Sequence, residues 1–273
     1  MRSNHQITSG GARLAATSTG SGRPVVFLHA AVCDSRMWQA QLDAVGRSTQ
    51  AIAYDRRGFG ETWAEPEDHS AVADLLRVID TLAGSEPAIL VACSQGGRIA
   101  LDAAISHPER IRGLFLISPS LIGAPEPQHA PEIAALLARQ KQLETTGDAN
   151  ALNQLKARLW LDGPLQPEGR VAGAARDLFL DMNCIALRSP PVGANTDAVA
   201  NYLRLGEISA PARIVCGEHD FPHIQERCRH MAQVIPRASF QPLANAAHLP
   251  SLEQPAAVNA LLLPFLESLA PSC

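Results

Sequence analysis

Short apolar, β-branched runs alternate with helix-length amphipathic runs along most of this chain, and that alternation limits the fold more than any other feature. Val25-Val26-Phe27-Leu28, Ala51-Ile52-Ala53-Tyr54, Ala88-Ile89-Leu90-Val91, Leu114-Phe115-Leu116-Ile117 and Arg213-Ile214-Val215-Cys216 read as buried strands. Helix candidates lie at about 36–45, 68–83, 95–106, 223–234 and 254–269, the last with Pro255 in its first turn. Such alternation predicts an α/β fold, a mostly parallel central sheet with helices on both faces.

The pattern breaks between about Leu121 and Leu205. Helical patterning such as Pro131-Glu132-Ile133-Ala134-Ala135-Leu136-Leu137 continues there without a convincing strand, punctuated by Asp162-Gly163-Pro164 and Ser189-Pro190-Pro191. Strand patterning resumes after Ala210-Pro211. The expected organisation is a core over 1–120, an inserted helical cap over 121–205 and the rest of the core over 206–273.

Composition excludes several functions. A net charge of −4 with no Lys/Arg run supplies no field for a phosphate backbone, so nucleic acid is not an expected partner. No stretch approaches the roughly 18 to 20 apolar residues of a membrane span, and Met1-Arg2-Ser3-Asn4-His5-Gln6 lacks an apolar signal core. The expected location is the cytoplasm, with no membrane partner. Cys33, Cys93, Cys184, Cys216, Cys228 and Cys273 form no CxxC pair, which argues against zinc and thioredoxin-like chemistry and for thiols packed as small hydrophobes.

Chemistry concentrates around Ser94. The strand ending at Val91 runs into Ala92-Cys93-Ser94-Gln95-Gly96-Gly97 and then a helical stretch, the context of a sharp turn that lifts a serine Oγ above the sheet. Small residues are needed two before and two after that serine, here Ala92 and Gly96. A general base must accept the serine proton, and a carboxylate must orient that base. Asp220 closes Gly217-Glu218-His219-Asp220 just past a strand end, and His248 stands in a loop before the final helix.

Seven blocks in order resemble the α/β-hydrolase superfamily over nearly the whole chain. Leu28-His29-Ala30-Ala31 resembles its strand-3 oxyanion loop, with Ala30 in place of the usual glycine, and Asp34-Ser35-Arg36-Met37-Trp38 the helix start that follows. Tyr54-Asp55-Arg56-Arg57-Gly58-Phe59-Gly60 resembles the strand-4 loop, and Ser94-Gln95-Gly96-Gly97 the nucleophile elbow. His107-Pro108-Glu109-Arg110, Gly217-Glu218-His219-Asp220 and His248-Leu249-Pro250-Ser251-Leu252-Glu253-Gln254-Pro255 resemble the helix exit, the acid turn and the histidine loop. The resemblance implies an α/β-hydrolase fold with Ser94 as nucleophile, Asp220 as acid and His248 as base. It implies oxyanion donors at the backbone N–H groups of Ala31 and Gln95. Within the superfamily the nearest likeness is to 3-oxoadipate enol-lactonases and related esterases.

Glu218 is a rival acid two residues before Asp220, and Cys93 adjoins the nucleophile. Trp160 and Met182 are candidate pocket residues in the cap, with packing inside the cap as the competing reading. A serine nucleophile forms an acyl-enzyme, so the expected reaction is hydrolysis of a small-molecule ester or lactone, with no metal and no organic cofactor. Cleavage of C–C bonds, perhydrolysis, lyase chemistry on the same triad and a ligand receptor with a retained hydrolase pocket stay open.

Overall fold

The computed structural model describes residues 2–270; Cys273, one of the expected free thiols, lies outside the described residues. A single nine-stranded sheet contains β1 (Ser3–Ser9), β2 (Ala12–Thr19), β3 (Pro24–Leu28), β4 (Gln50–Tyr54), β5 (Trp63–Ala64), β6 (Ala88–Cys93), β7 (Ile111–Ile117), β8 (Ala212–Gly217) and β9 (Ala238–Leu243). Their order is β1-β2-β4-β3-β6-β7-β8-β9, with the short β5 pairing β2. From β4 through β9 every neighbouring pair on this path is parallel, whereas β1, β2 and β5 join antiparallel.

The parallel strands β3, β4, β6, β7 and β8 are buried on both faces, as their sequences require, whereas β9 at the edge is only partly buried. Val26, Leu28, Ile52, Tyr54, Leu90, Ala92, Leu114 and Leu116 pack to one side of the sheet, and their neighbours Val25, Phe27, Ala51, Ala53, Ile89, Val91, Phe115 and Ile117 to the other. The first face is covered by α2 (Ala71–Ala83), α3 (Gln95–Ser106) and α8 (Pro222–Val234), the second by α1 (Gln39–Val45) and α10 (Pro255–Ser268). A short α9 (Pro250–Glu253) precedes α10.

The β1–β2 hairpin was not anticipated from sequence. In Ser3–Ser9 only Ile7 is fully buried, so the strand lacks the apolar run that marks its parallel neighbours. Its register instead comes from backbone pairing across the Gly10-Gly11 turn, where Gly10 has φ of +53°.

Between β7 and β8 the chain forms α4 (Pro131–Thr146), α5 (Ala149–Lys156), a π-helical segment (Ala157–Asp162), α6 (Ala174–Arg188) and α7 (Asn201–Arg204). Backbone bonds from Glu67 to Val192 and from His69 to Ala194 tie this insertion to the loop after β5.

Candidate active site

β3, β4 and β6 are adjacent and parallel, so the loops leaving their carboxyl ends meet at one edge of the sheet. Ser94 stands between β6 and α3 with φ of 53° and ψ of −117°, a conformation that side chains other than glycine seldom adopt. Its N–H donates to Ile117, and its carbonyl accepts from Ser120 and Arg98, so three neighbours hold the strained turn. Gly96 is required by space: a Cβ there would collide with the carbonyl oxygens of Leu28 and His29. Ala92 faces the buried sheet surface and leaves the turn intact.

Asp220 and His248 are brought together. His248 Nδ1 donates to Asp220 Oδ2 at 2.8 Å, while Asp220 Oδ1 accepts from the N–H of Phe221, also at 2.8 Å. Both side chains are buried. Glu218 instead is exposed, with its carbonyl bonded to Gln225. Nε2 of His248 is buried and has no hydrogen-bond partner among the described residues, Ser94 Oγ included. Nucleophile–base bonds are often long in unliganded enzymes and tighten around substrate. The Cys93 thiol points to the opposite face of the sheet from Ala92 and donates to the carbonyl of His248 at 3.6 Å, which seats the histidine loop against β6. Burial pushes that thiol well above its usual range, so it is no thiolate nucleophile.

The loops after β3 and β4 are cross-linked by His29 and Arg56. His29 Nε2 accepts from the N–H of Arg56 at 3.1 Å, which leaves Nδ1 to donate to the carbonyl of Ala30 at 2.8 Å. Burial holds His29 well below its ordinary value, so the imidazole is neutral. Asp55 accepts from the N–H groups of Ser35 and Glu61 and so ties three turns of the same loop region. The Ala31 and Gln95 N–H groups have no acceptor among the described residues; Gln95 opens α3, where the first-turn donors are free and the helix dipole is positive.

Trp160, in the π-helical segment, lies over this site. Its ring centroid is 4.7 Å from that of His248 and 4.8 Å from that of Phe221. Met182 is 1% exposed and packed among buried apolar residues, and its Sδ accepts from the N–H of Asp34, in the loop after β3, at 3.5 Å. Arg170 was not singled out from sequence. Its guanidinium donates to the carbonyls of Asp162, Leu161 and Asn245 and to Glu253, whose carboxylate also accepts from Ala247, the residue before His248. Arg56 belongs to the strand-4 block, but its partners His29 and Gln95 are remote in sequence, so no local spacing marks its bonds. Among the described residues no cluster of three or more His, Cys, Asp or Glu side chains could hold a metal ion.

Known proteins resemble this chain at modest identity. The chain is 26% identical over 262 residues to the uncharacterized carboxylesterase nap of Bacillus subtilis, covering 90% of this chain and 79% of that protein. Carboxylesterase YbfK of the same organism is 26% identical over 252 residues, covering 89% and 79%. The crystal structure of the enol-lactonase from Burkholderia xenovorans superposes with a TM-score of 0.76 at 24% identity, covering 97% and 100% of the two chains. The family described as the alpha/beta hydrolase family matches residues 25–261. That span runs from β3 into α10 and takes in the Ser94 turn, Asp220 and His248, so the chain belongs to the alpha/beta hydrolase family.

Proposed function

We propose that the protein hydrolyses a small-molecule carboxylic ester or lactone through an acyl-enzyme on Ser94. The reading is carried by the buried His248, whose Nδ1 is fixed by Asp220 and whose Nε2 has no partner among the described residues, in a chain whose serine at the β6–α3 turn holds a strained φ of 53°. Ser94 Oγ attacks the carbonyl carbon as Nε2 of His248 takes its proton. Asp220 holds the imidazole in the tautomer that can accept it and offsets the imidazolium charge. The N–H groups of Ala31 and Gln95 bind the oxyanion, which collapses and expels the alcohol with the proton from His248. Nε2 then takes a proton from water, the hydroxide attacks the acyl group, and Ser94 leaves with its proton restored.

The named carboxylesterases and the enol-lactonase support the substrate class. In this reading the insertion over 121–205 acts as a cap, with Trp160 as one wall of the acyl or alcohol site. We place the protein in the cytoplasm, where the five free thiols of the described residues stay reduced.

A panel of p-nitrophenyl esters tests the reading. Ser94→Ala should lower kcat on the order of 10⁴-fold or more while far-UV circular dichroism and Tm stay near wild type. A fluorophosphonate should label the wild type once, at Ser94. Retention of more than a tenth of wild-type kcat would remove Ser94 from the mechanism, and an inert wild type would favour the receptor reading.

A further inference from the structure

The carboxylate of Asp220 has a donor beyond His248 and Phe221. Cys216, near the carboxyl end of β8, is 1% exposed on the sheet face that α8 covers, and its Sγ lies 3.7 Å from Asp220 Oδ2. That is the same oxygen that accepts from His248 Nδ1 at 2.8 Å, while Oδ1 takes the N–H of Phe221. The Gly217 carbonyl is also 3.7 Å from Sγ. One S–H proton serves one of these acceptors at a time, and the ionised carboxylate is the stronger.

Two groups behind the thiol favour that choice. Ser118 Oγ, in the loop after β7, donates to Sγ at 3.5 Å, and the Cys228 thiol of α8 hydrogen-bonds to it. Burial pushes Cys228 well above its usual range, so it stays a protonated donor. With its sulfur accepting from both, Cys216 has its own proton to give. Ser118 is 1% exposed and holds φ of 46°, where glycine would be free of strain. What serine adds there is a hydroxyl, and Cys216 is the partner that hydroxyl finds. The same loop grips the nucleophile turn, since the Ile117 carbonyl accepts from Ser94 and the Ser120 N–H donates to the Ser94 carbonyl.

We propose that Cys216 is a positioning residue for the triad, its S–H donating to Asp220 Oδ2 and fixing the carboxylate toward His248, with Ser118 orienting the thiol. The proposal rests on the Ser94 reading for its effect on turnover, but the state of the His248–Asp220 pair is measurable without turnover. A donor to an ionised carboxylate shares its charge, so losing that donor strengthens the bond to Nδ1 and favours the imidazolium. The ionisable groups that also face the pair are Cys93 from β6, His223 and Cys228 from α8, and Glu253 from α9, itself paired with Arg170. All are retained in the variants below.

The first arm follows the His248 ring protons by NMR through a pH titration of Ser94→Ala protein. Adding Cys216→Val keeps an apolar side chain without a proton to give, and His248 should titrate about 0.5 higher in pH. Adding Cys216→Ser keeps a donor, and His248 should titrate within about 0.2 of the parent. Packing alone predicts the reverse ranking in stability, valine tolerated and a buried serine costly, with His248 titrating alike in both; that result overturns the proposal. Should Cys216→Val fail to fold, Ser118→Gly decides, because it eases the backbone and removes the hydroxyl. His248 should then move upward as well, and an unchanged titration overturns the proposal.

The second arm measures kcat and KM for a p-nitrophenyl ester across pH with Ser94 in place. Cys216→Val should lower kcat about fivefold with KM little changed and move the acidic limb of kcat/KM upward, and Cys216→Ser should recover both. Ester turnover with the same acidic limb in every variant sinks the positioning role and leaves the Ser94 reading standing. A His248 titration that follows Cys216 in a protein that hydrolyses no ester does the reverse.

Discussion

Ser94 and Gly96 place different demands on the backbone although they share one turn. Ser94 pays conformational strain of about 1–3 kcal/mol, held by hydrogen bonds to Ile117, Ser120 and Arg98. Gly96 is unstrained but has no room for a side chain against Leu28 and His29. Position 92 needs only a residue small enough for the sheet face shared with Leu28 and Leu116, which alanine satisfies. The acid shows the same division at single-residue scale. Glu218 and Asp220 are two positions apart, yet one is exposed and the other buried against His248. Asp220→Asn should therefore cost about 10⁴-fold in kcat by presenting the wrong tautomer, whereas Glu218→Gln should change it by no more than a few fold. Steady-state kinetics on a p-nitrophenyl ester at matched thermal stability decides it, and a larger loss in Glu218→Gln would move the acid assignment.

At the scale of elements, the chain marks its interior strands plainly and its accessory structure poorly. β3, β4, β6, β7 and β8 are apolar on both faces because helices cover both, so their sequences announce them. β1 forms the edge of the sheet with only Ile7 fully buried, and β2 beside it ends in the polar run Thr17-Ser18-Thr19, so neither carries the apolar run that marks the interior strands. The serine, acid and histidine are legible because each follows a strand in a loop of distinctive residues. What joins the insertion to them is not, since Arg170 reaches Asn245 and Glu253 across 75 and 83 residues, and no local spacing encodes such a bond. Nor does periodicity separate the π-helical segment bearing Trp160 from α5 before it. Arg170 bonds the carbonyls of Leu161 and Asp162 at the end of the π-helical segment and, through Asn245 and Glu253, the His248 loop, so Arg170→Met should destabilise by about 3 kcal/mol, chiefly by stranding the buried Glu253 carboxylate. Adding Glu253→Gln should recover part of that loss. Urea unfolding of the single and double variants reads the difference, and a double variant no more stable than the single would mean that the charge is not what Arg170 offsets.

Acid acts on the molecule as a whole, because buried ionisable groups of opposite tendency lie where the insertion meets the core. His223 of α8 packs against His129 of the insertion, ring centroids 5.1 Å apart, and burial, then Arg227 and His129, lower it to about 4. Between pH 6.5 and 4 the unfolded chain binds a proton there that the native chain does not. His223 thus contributes stability that is complete above about pH 6.5 and is lost as pH falls toward 4. Buried His29 has the same sign. Asp102 of α3 accepts from Asn201 of α7, and burial raises it to about 6. Over pH 3.8 to 6 the native state is the one that holds the extra proton, so its contribution is present at low pH and lost as pH rises through 6. Wild-type stability across this window is a difference of opposed slopes, and single substitutions should separate them. His223→Phe keeps a ring against His129 and Phe221 while removing the titration, so it should lose less stability than wild type on going from pH 7 to pH 5. Asp102→Asn keeps an oxygen for Asn201 while removing the opposing slope, so it should lose more. Urea unfolding at the two pH values measures both, and shifts of the same sign in the two variants would show that these groups do not set the acid response of the fold.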